Sequence, residues 1–465
     1  RVLRPFTNNK ALPYYYVGNF IGKLKRICYF CKKYRHSVMK EDFLHFIWKH
    51  RLFKSDHLFT TAGEPVEIVY VGQHNADAGP DFLNAKIKIG DTLWVGNVEI
   101  HRRASDWARH IHHEDTSYDS VVLHVVKTDD VPVRRRSGQE VPTLLLQYDE
   151  GPEKEYEHWQ ASTDWIACCR KIHLVDDFRI QHFLSRLAIE RLEQKTEQIK
   201  IVLEHSGGNW YKAFYQLLFR AFGFSINSIP FELLAKSIPF QVIEKHRKSL
   251  LHTEPLLFGQ AGFLNEQSND DYIICLQKEY NFLKNKFSLK PVDRQVWKFL
   301  RLRPANFPSI RLAQLAQLLQ LPGHLSDRLL SIEELPSLIK QFEVQASDYW
   351  NTHYLPDKPT PASPKKLGLP SIHIIIINMA IPFLFAHGKH FGNDENCERA
   401  LRWLEELPAE DNHILRGWSA LGIKPKNAFY SQALLQLKIM YCDKKRCLHC
   451  AIGSALLLTS QSSSH

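Results

Sequence analysis

The hydrophobic pattern of this 465-residue chain changes period near residue 160, and that change limits the folds open to it. Before it, apolar residues alternate or run in short blocks, the patterns of half-buried and fully buried strands. After it, they recur at intervals of three and four, the mark of a helix with one buried stripe. "EPVEIVYVG" (64–72), "FLNAKIKIG" (82–90) and "TLWVGNVEIH" (92–101) read as strands, the last two joined across Gly90-Asp91. "SVVLHVVK" (120–127) is nearly all apolar, as a central strand covered on both faces should be. "VPTLLLQ" (141–147) is a further strand. A short helix carries Phe43, Phe46, Ile47 and His50 ahead of the strands, and Ser105 is placed to cap another after them. The order predicts an α+β N-terminal domain built on a mixed sheet, followed by a large all-α domain.

The helical part is signalled by Phe183, Leu184, Leu187, Ala188 and Leu192, ending at Gly207-Gly208. A second run, Trp210, Ala213, Phe214, Leu217, Leu218, Ala221 and Phe222, follows it. The division expected is 39–160 for the sheet domain and 161–355 for a helical domain. A Pro-rich linker or loop at 356–370 leads to C-terminal helices with a cysteine group at 371–458, and a Ser-rich disordered tail at 459–465. Residues 1–38 hold nine Lys or Arg and no acid, almost the whole formal charge of +10, so the rest of the chain carries only +1. They read as a basic leader, non-native or disordered, and the high pI is no sign of a basic face on the folded body. No run of 18 apolar residues exists; "IIIINMAIPFLFAH" is broken by Asn378 and Pro382 and reads as a buried core helix. The chain is therefore expected to be cytoplasmic, with no membrane association. Nine cysteines, an odd number, fit a reducing compartment and metal ligation better than disulfides.

Chemistry concentrates in "AGPDFLNAKIKIGDTLWVGNVEIH" (78–101). Asp81 opens one strand and Glu99-Ile100-His101 closes the next. On a strand, Glu99 and His101 share one face and Val98 and Ile100 the other. Carboxylates so placed can hold Mg²⁺ or Mn²⁺ against a phosphodiester, with His101 positioning or activating water. His74, His110, His112, His113 and His124 lie close in sequence and, with Asp81, Glu99, Asp115 and Asp119, could form a polar or transition-metal site, His110 and His113 sharing a helix face at i, i+3. Lys86 and Lys88 on the preceding strand are alternative sources of positive charge. No phosphate loop, dinucleotide fingerprint or nucleophile-elbow motif occurs.

"GQHNADAGPDFLNAKIKIGDTLWVGNVEIHRRASDWARH", "LLFGQAGFL", "FLRLRPANFPSIRLAQ" and "YCDKKRCLHCAIG" resemble the bacterial domain-of-unknown-function family 2851 over about residues 39–458. That resemblance supplies no activity. The N-terminal element order resembles the restriction-endonuclease-like PD-(D/E)XK core, which implies a metal-dependent nuclease. Asp81 and Glu99 would be its metal ligands, and His101 stands where that pattern has Lys. The alternatives are a scaffold binding nucleic acid or protein without hydrolysis, and a His/Asp/Glu metallohydrolase of small substrates.

"CDKKRCLHC" places Cys442, Cys447 and Cys450 at spacings that suit Zn²⁺ or an iron–sulfur cluster. Cys169 is the preferred fourth ligand, with Cys168 or Cys397 next. Arg301, Arg303 and Arg311 could contact nucleic-acid phosphate beside Phe307 and Trp297 as stacking surfaces. Gly259 and Gly262 in "FGQAGFL" lack phosphate-loop spacing and read as close helix packing.

Overall fold

The computed structural model describes residues 41–459, so the basic leader and all but Thr459 of the Ser-rich tail lie outside the described residues. The chain packs as two compact units. The first extends to Val175 and takes back the chain from Lys445 onward; the second is Asp176–Lys444. The C-terminal cysteine segment thus returns to the unit that holds the sheet, a long-range pairing that periodicity cannot show.

The first unit opens with helix α1 (41–49), which buries Phe43, Leu44, Phe46, Ile47 and Trp48. The strands follow: β1 (Val66–Tyr70), β2 (Gln73–His74), β3 (Phe82–Ile89), β4 (Thr92–Arg103), β5 (Val121–Thr128) and β6 (Thr143–Leu145). The sheet order is β1-β3-β4-β5-β6, with β2 paired to β3. β1, β3 and β4 run antiparallel, whereas β5 is parallel to β4 and β6 to β5. A parallel neighbour needs a crossover, and the segment with helix α2 (Asp106–Arg109) supplies it. α2 is only four residues long. Ser105 makes no cap hydrogen bond to it and instead donates its hydroxyl to Asp130 Oδ2 at 2.7 Å.

β5 is buried from Val121 to Val126, as its apolar run predicts. Gly96 lets β4 approach it: a Cβ there would stand 2.3 Å from Val122 Cγ1 and 2.7 Å from the Ser120 carbonyl. That approach sets Glu99 beside His124 in the parallel register. The hairpin register is irregular between Phe82 and Ala85, where Asn84 takes φ 56°. A bulge of this kind re-aims the strand end, here the end that carries Asp81. Helix α3 (Gly151–Ala161) follows the sheet and buries Tyr156 and Trp159.

The second unit is helical. α4 (Asp177–His205) is capped by Asp176, whose carboxylate accepts the Arg179 N–H, and it buries Phe183, Leu184, Leu187, Ala188 and Leu192. α5 (Trp210–Phe222) is capped by Asn209 and buries Ala213, Phe214, Leu218 and Phe222. The expected linker at 356–370 contains the end of a small hairpin, His353–Leu355 with Lys358–Pro359, and belongs to this unit. The apolar stretch forms one helix, Leu369–Phe391, with a π turn at Ile376–Ala380 ahead of Pro382. Length and composition alone would let it cross a membrane, yet 67 % of its most apolar window is buried in the protein.

Candidate metal centre

Asp81 and Glu99 clamp each other through the backbone. Glu99 Oε2 accepts the Asp81 N–H at 3.1 Å, and Asp81 Oδ2 accepts the Ile100 N–H at 2.9 Å. This reciprocal pair fixes both carboxylates at the end of the β3–β4 hairpin. Asp81 Oδ2 also lies 3.2 Å from His45 Nε2, which α1 brings in. Glu41, one turn earlier on α1, faces the same carboxylates. Burial pushes its carboxyl up to about 7, and the neighbouring charges of Asp106 and Asp81 add to the rise. Neither α1 residue is in the sequence prediction. The signal for them was a Glu and a His four residues apart on a helix whose buried residues are all apolar.

The other oxygen of Glu99 faces imidazoles. Glu99 Oε1 is 3.4 Å from His101 Nε2 and 3.2 Å from His112 Nε2, and His110 Nδ1 is 3.2 Å from His101 Nε2. His101, His110 and His112 each offer a ring nitrogen within 4.8 Å of the others. A tetrahedral ion about 2.0–2.1 Å from each donor sets its donors about 3.3–3.4 Å apart. The spacings of Glu99 Oε1 from His101 and His112, and of His110 from His101, at 3.2–3.4 Å, lie at or just below that range. Glu41 Oε1 and His112 Nε2 are moreover buried with no hydrogen-bond partner among the described residues. His112 Nε2 approaches Glu99 without the alignment of a hydrogen bond.

Electrostatics agree with this reading. Burial, reinforced by the Asp81 charge, pushes the Glu99 carboxyl up to about 9. Burial holds His101 well below the ordinary histidine value, with His124, His112 and His110 adding to the effect. His110 and His112 are lowered chiefly by burial, and so is His124, to about 3. Burial thus disfavours charge on Glu99 and on the imidazoles alike, so the histidines are not a source of positive charge here. His45 goes the other way: burial lowers it, but the Asp81 contact outweighs that and raises it.

The neighbours fix each ring. His101 Nδ1 is 2.9 Å from His124 Nε2, which lies directly behind it and is fully buried. Were His101 to ligate a metal through Nε2, its Nδ1 would carry the proton and donate it to His124, the outer contact that fixes the tautomer of a ligating histidine. Trp107 sets its ring edge-on to His112 and against His124, and Tyr118 stacks on His112 at 3.7 Å. His110 and His112 converge because the helix stops at Arg109. Ile111, a β-branched residue, takes φ 65° between them, a strained state that persists only where surroundings impose it.

His110 and His113 share no helix face, because α2 ends at Arg109. His113 is half-buried, 3.6 Å from Glu114, and His112 rather than His113 joins His101 and His110. His74 stands at the rim, its ring 5.8 Å from His45. Lys86 and Lys88 face solvent opposite Val95 and Leu93, four or more residues along β4 from Glu99, and do not reach the cluster.

Beyond the sheet, Cys169, Cys447 and Cys450 belong to the first unit, whereas Cys442 falls within the second. Cys397 lies in the helix Asp394–Glu406 with its Sγ 3.7 Å from the Phe385 carbonyl. Arg301 and Arg303 are exposed. Arg311 is not: it is buried, donates to Gln314, Asn306 and Ser371, and lies over the Phe224 ring, an internal strut rather than a surface contact. Trp297 is also buried, its indole N–H on the Ala261 carbonyl, so it offers no stacking surface.

Residues 41–413 match the family described as "Protein of unknown function (DUF2851)". The chain belongs to this family. The match includes every residue of the histidine–carboxylate cluster and stops before the C-terminal cysteines. No curated protein is similar to the chain, and no solved structure is either. Membership in DUF2851 therefore places the cluster within a shared domain, and its chemistry rests on the geometry.

Proposed function

We propose that the first unit is a divalent-metal-dependent phosphodiesterase acting on DNA or RNA, built on a restriction-endonuclease-like core. The observation that carries the metal is the spacing of His101, His110, His112 and Glu99 around a common point. The support for the nuclease-like core is the order of elements: α1, an antiparallel β1-β3-β4 set, α2, then β5 parallel to β4, with Asp81 and Glu99 clamped on the β3–β4 hairpin. An imidazole-rich donor set suits Mn²⁺ or Zn²⁺ better than Mg²⁺, which prefers six oxygens.

Such an ion would polarise a phosphoryl oxygen and acidify a bound water. His101, His110 and His112 would hold it, with Glu99 as the anionic donor. Asp81, tied to His45, keeps a second carboxylate beside it. Glu41 is the residue placed to take up or return a proton near neutral pH. His101 does not stand in for a lysine: it is neutral, 2 % exposed, and uses both ring nitrogens. That departure favours a second reading, a metallohydrolase of small phosphate or carboxylic esters with the same ligands.

Purified protein loaded with Mn²⁺ or Zn²⁺ should cleave labelled single- or double-stranded substrates. Glu99→Gln and Asp81→Asn should each lower the rate by more than about 100-fold, since even outer-shell changes cost 10–100-fold. Turnover of nitrophenyl esters with intact oligonucleotides would select the second reading. Equal rates in wild type and both variants, on every substrate, would remove both.

A further inference from the structure

The second unit holds a buried cation whose partners are all neutral, set in the wall of a cavity; nothing about it depends on the hydrolase reading. Helix Pro308–Leu319 carries Arg311, which is 4 % exposed. Its terminal nitrogens donate to neutral oxygens: Nη1 to Gln314 Oε1 at 2.9 Å, and Nη2 to Asn306 Oδ1 at 2.6 Å and Ser371 Oγ at 2.9 Å. Its Nε is buried and has no hydrogen-bond partner among the described residues. The Phe224 ring, 4.5 Å from the guanidinium carbon, attracts the charge without neutralising it. Burial pulls the guanidinium down to about 10. A charge taken out of water is costly unless an opposite charge answers it, which is why buried arginines are normally paired. No carboxylate among the described residues pairs with Arg311.

Arg311 lines a cavity of about 230 Å³ together with Phe222, Phe224, Phe231, Leu302 and Ile374. A second cavity of about 410 Å³ adjoins it across Phe224, Ser225 and Ile374, which line both, and it carries Lys195. The Lys195 ammonium likewise donates to neutral oxygens, Asn378 Oδ1 at 3.1 Å and Gln432 Oε1 at 2.9 Å. Arg220, the other cation there, is paired with Glu232. Among the described residues neither lining includes an Asp or a Glu, so the double hollow is positive. Its wall is held in one shape. Phe224 takes φ 49°, an unusual state for a bulky residue, and a Cβ at Gly223 would stand 2.2 Å from the Asn227 carbonyl. Asn227 ties this turn to Lys298, donating to its carbonyl and accepting its N–H, both at 2.9 Å. Backbone in such a state persists only where its surroundings impose it, and such places gather at ligand sites.

We propose that the Arg311 cavity binds a small monocarboxylate with an apolar or aromatic body, its carboxylate on the Arg311 Nε–H and its body among Phe222, Phe231, Leu302 and Ile374. The volume is below the roughly 300–1,000 Å³ that encloses a drug-sized molecule, so the ligand is small. A carboxylate fits better than a phosphate. Three of the five guanidinium N–H donors are already engaged, too few remain for the three oxygens of a phosphate, and the wall is mostly apolar.

The test titrates the full chain by calorimetry with benzoate, hexanoate, benzamide, hexanamide and inorganic phosphate. The protein is first dialysed free of metal, so that no carboxylate is held by an ion in the first unit. Benzoate or hexanoate should bind saturably, about tenfold or more tighter than the matching amide, the scale of one charge-assisted hydrogen bond. Ile374→Trp fills the shared wall without touching the hydrogen bonds of Arg311, and should weaken the carboxylate by about tenfold or more. Lys278→Gln removes an exposed cation outside both linings and should change nothing. Arg311→Gln should abolish the preference for acid over amide; if that chain fails to fold, Ile374→Trp with native circular dichroism decides. No saturable binding of either carboxylate, amides as tight as the acids, unchanged affinity in Ile374→Trp, or phosphate at least as tight as benzoate would each overturn the proposal.

Discussion

His124→Phe tests the metal centre through a residue that touches no ion. His124 is fully buried on β5, and its Nε2 sits 2.9 Å from His101 Nδ1. If His101 ligates through Nε2, that contact holds its tautomer and its ring plane. Removing an outer-shell partner of this kind lowers affinity by about 10–100-fold, which is about 1.4–2.7 kcal/mol. Wild type with free metal at 100 times its dissociation constant gains about 2.7 kcal/mol, and for a unit of this size each kcal/mol moves the midpoint by about 2–4 °C. Zn²⁺ or Mn²⁺ should therefore raise the wild-type transition by about 5–10 °C. At the same metal concentration the variant should gain roughly half of that or less. Competition with a chromophoric chelator gives the dissociation constants directly, and calorimetry follows the transition. The metal-free variant must first show native circular dichroism, because the His101 N–H loses its acceptor. Wild-type affinity in His124→Phe, or no metal-dependent shift in wild type, would refute the tautomer argument or the centre itself.

Three further outcomes follow from the packing. Gly259→Ala would place a Cβ 2.1 Å from the Tyr280 ring, so overpacking should destabilise the second unit by about 1–3 kcal/mol or more, read as a lower urea midpoint; Tyr280→Leu should restore part of it. Glu254 is buried, and desolvation raises its carboxyl despite hydrogen bonds from Tyr272 and Ser347. The folded state therefore keeps a proton that the unfolded chain gives up. Its contribution is fully present below the ordinary glutamate value and is lost as pH rises through the raised one; Glu254→Gln should flatten the pH dependence of urea unfolding over that window. Arg311→Met should cost on the order of 3 kcal/mol, because Asn306, Gln314 and Ser371 lose a charged donor, and should leave the nucleic-acid affinity of the folded chain unchanged.

Local patterns were legible wherever a short window decides the outcome. The two-residue turn at Gly90-Asp91 registers β3 on β4 as far as Ala85, and the period-two rule puts Glu99 and His101 on one face; Asp81 comes opposite Glu99 only through the irregularity between Phe82 and Ala85. The apolar run of β5 announced a strand buried on both faces. The stripes of α4 and α5 announced the helical second unit, and its helix Leu369–Phe391 is mostly buried. Helical spacing failed at His113 because α2 ends after four residues and Ile111 reverses the backbone, which turns His112 inward. Arg311 looked like a surface arginine because sequence does not reveal that polar partners await it inside.

What the sequence by itself determined about this protein is the kind and order of its elements and the shared face of Glu99 and His101, since hydrogen bonding and side-chain alternation within a strand or helix act over a few residues. Which faces meet was decided only by tertiary structure. α1 brings Glu41 and His45 to carboxylates some forty to sixty residues away, β5 sets His124 behind His101, and the returning C-terminus packs its last helix on α3. Those meetings are settled by burial of apolar surface over the whole unit, a sum that no single stretch of the chain contains.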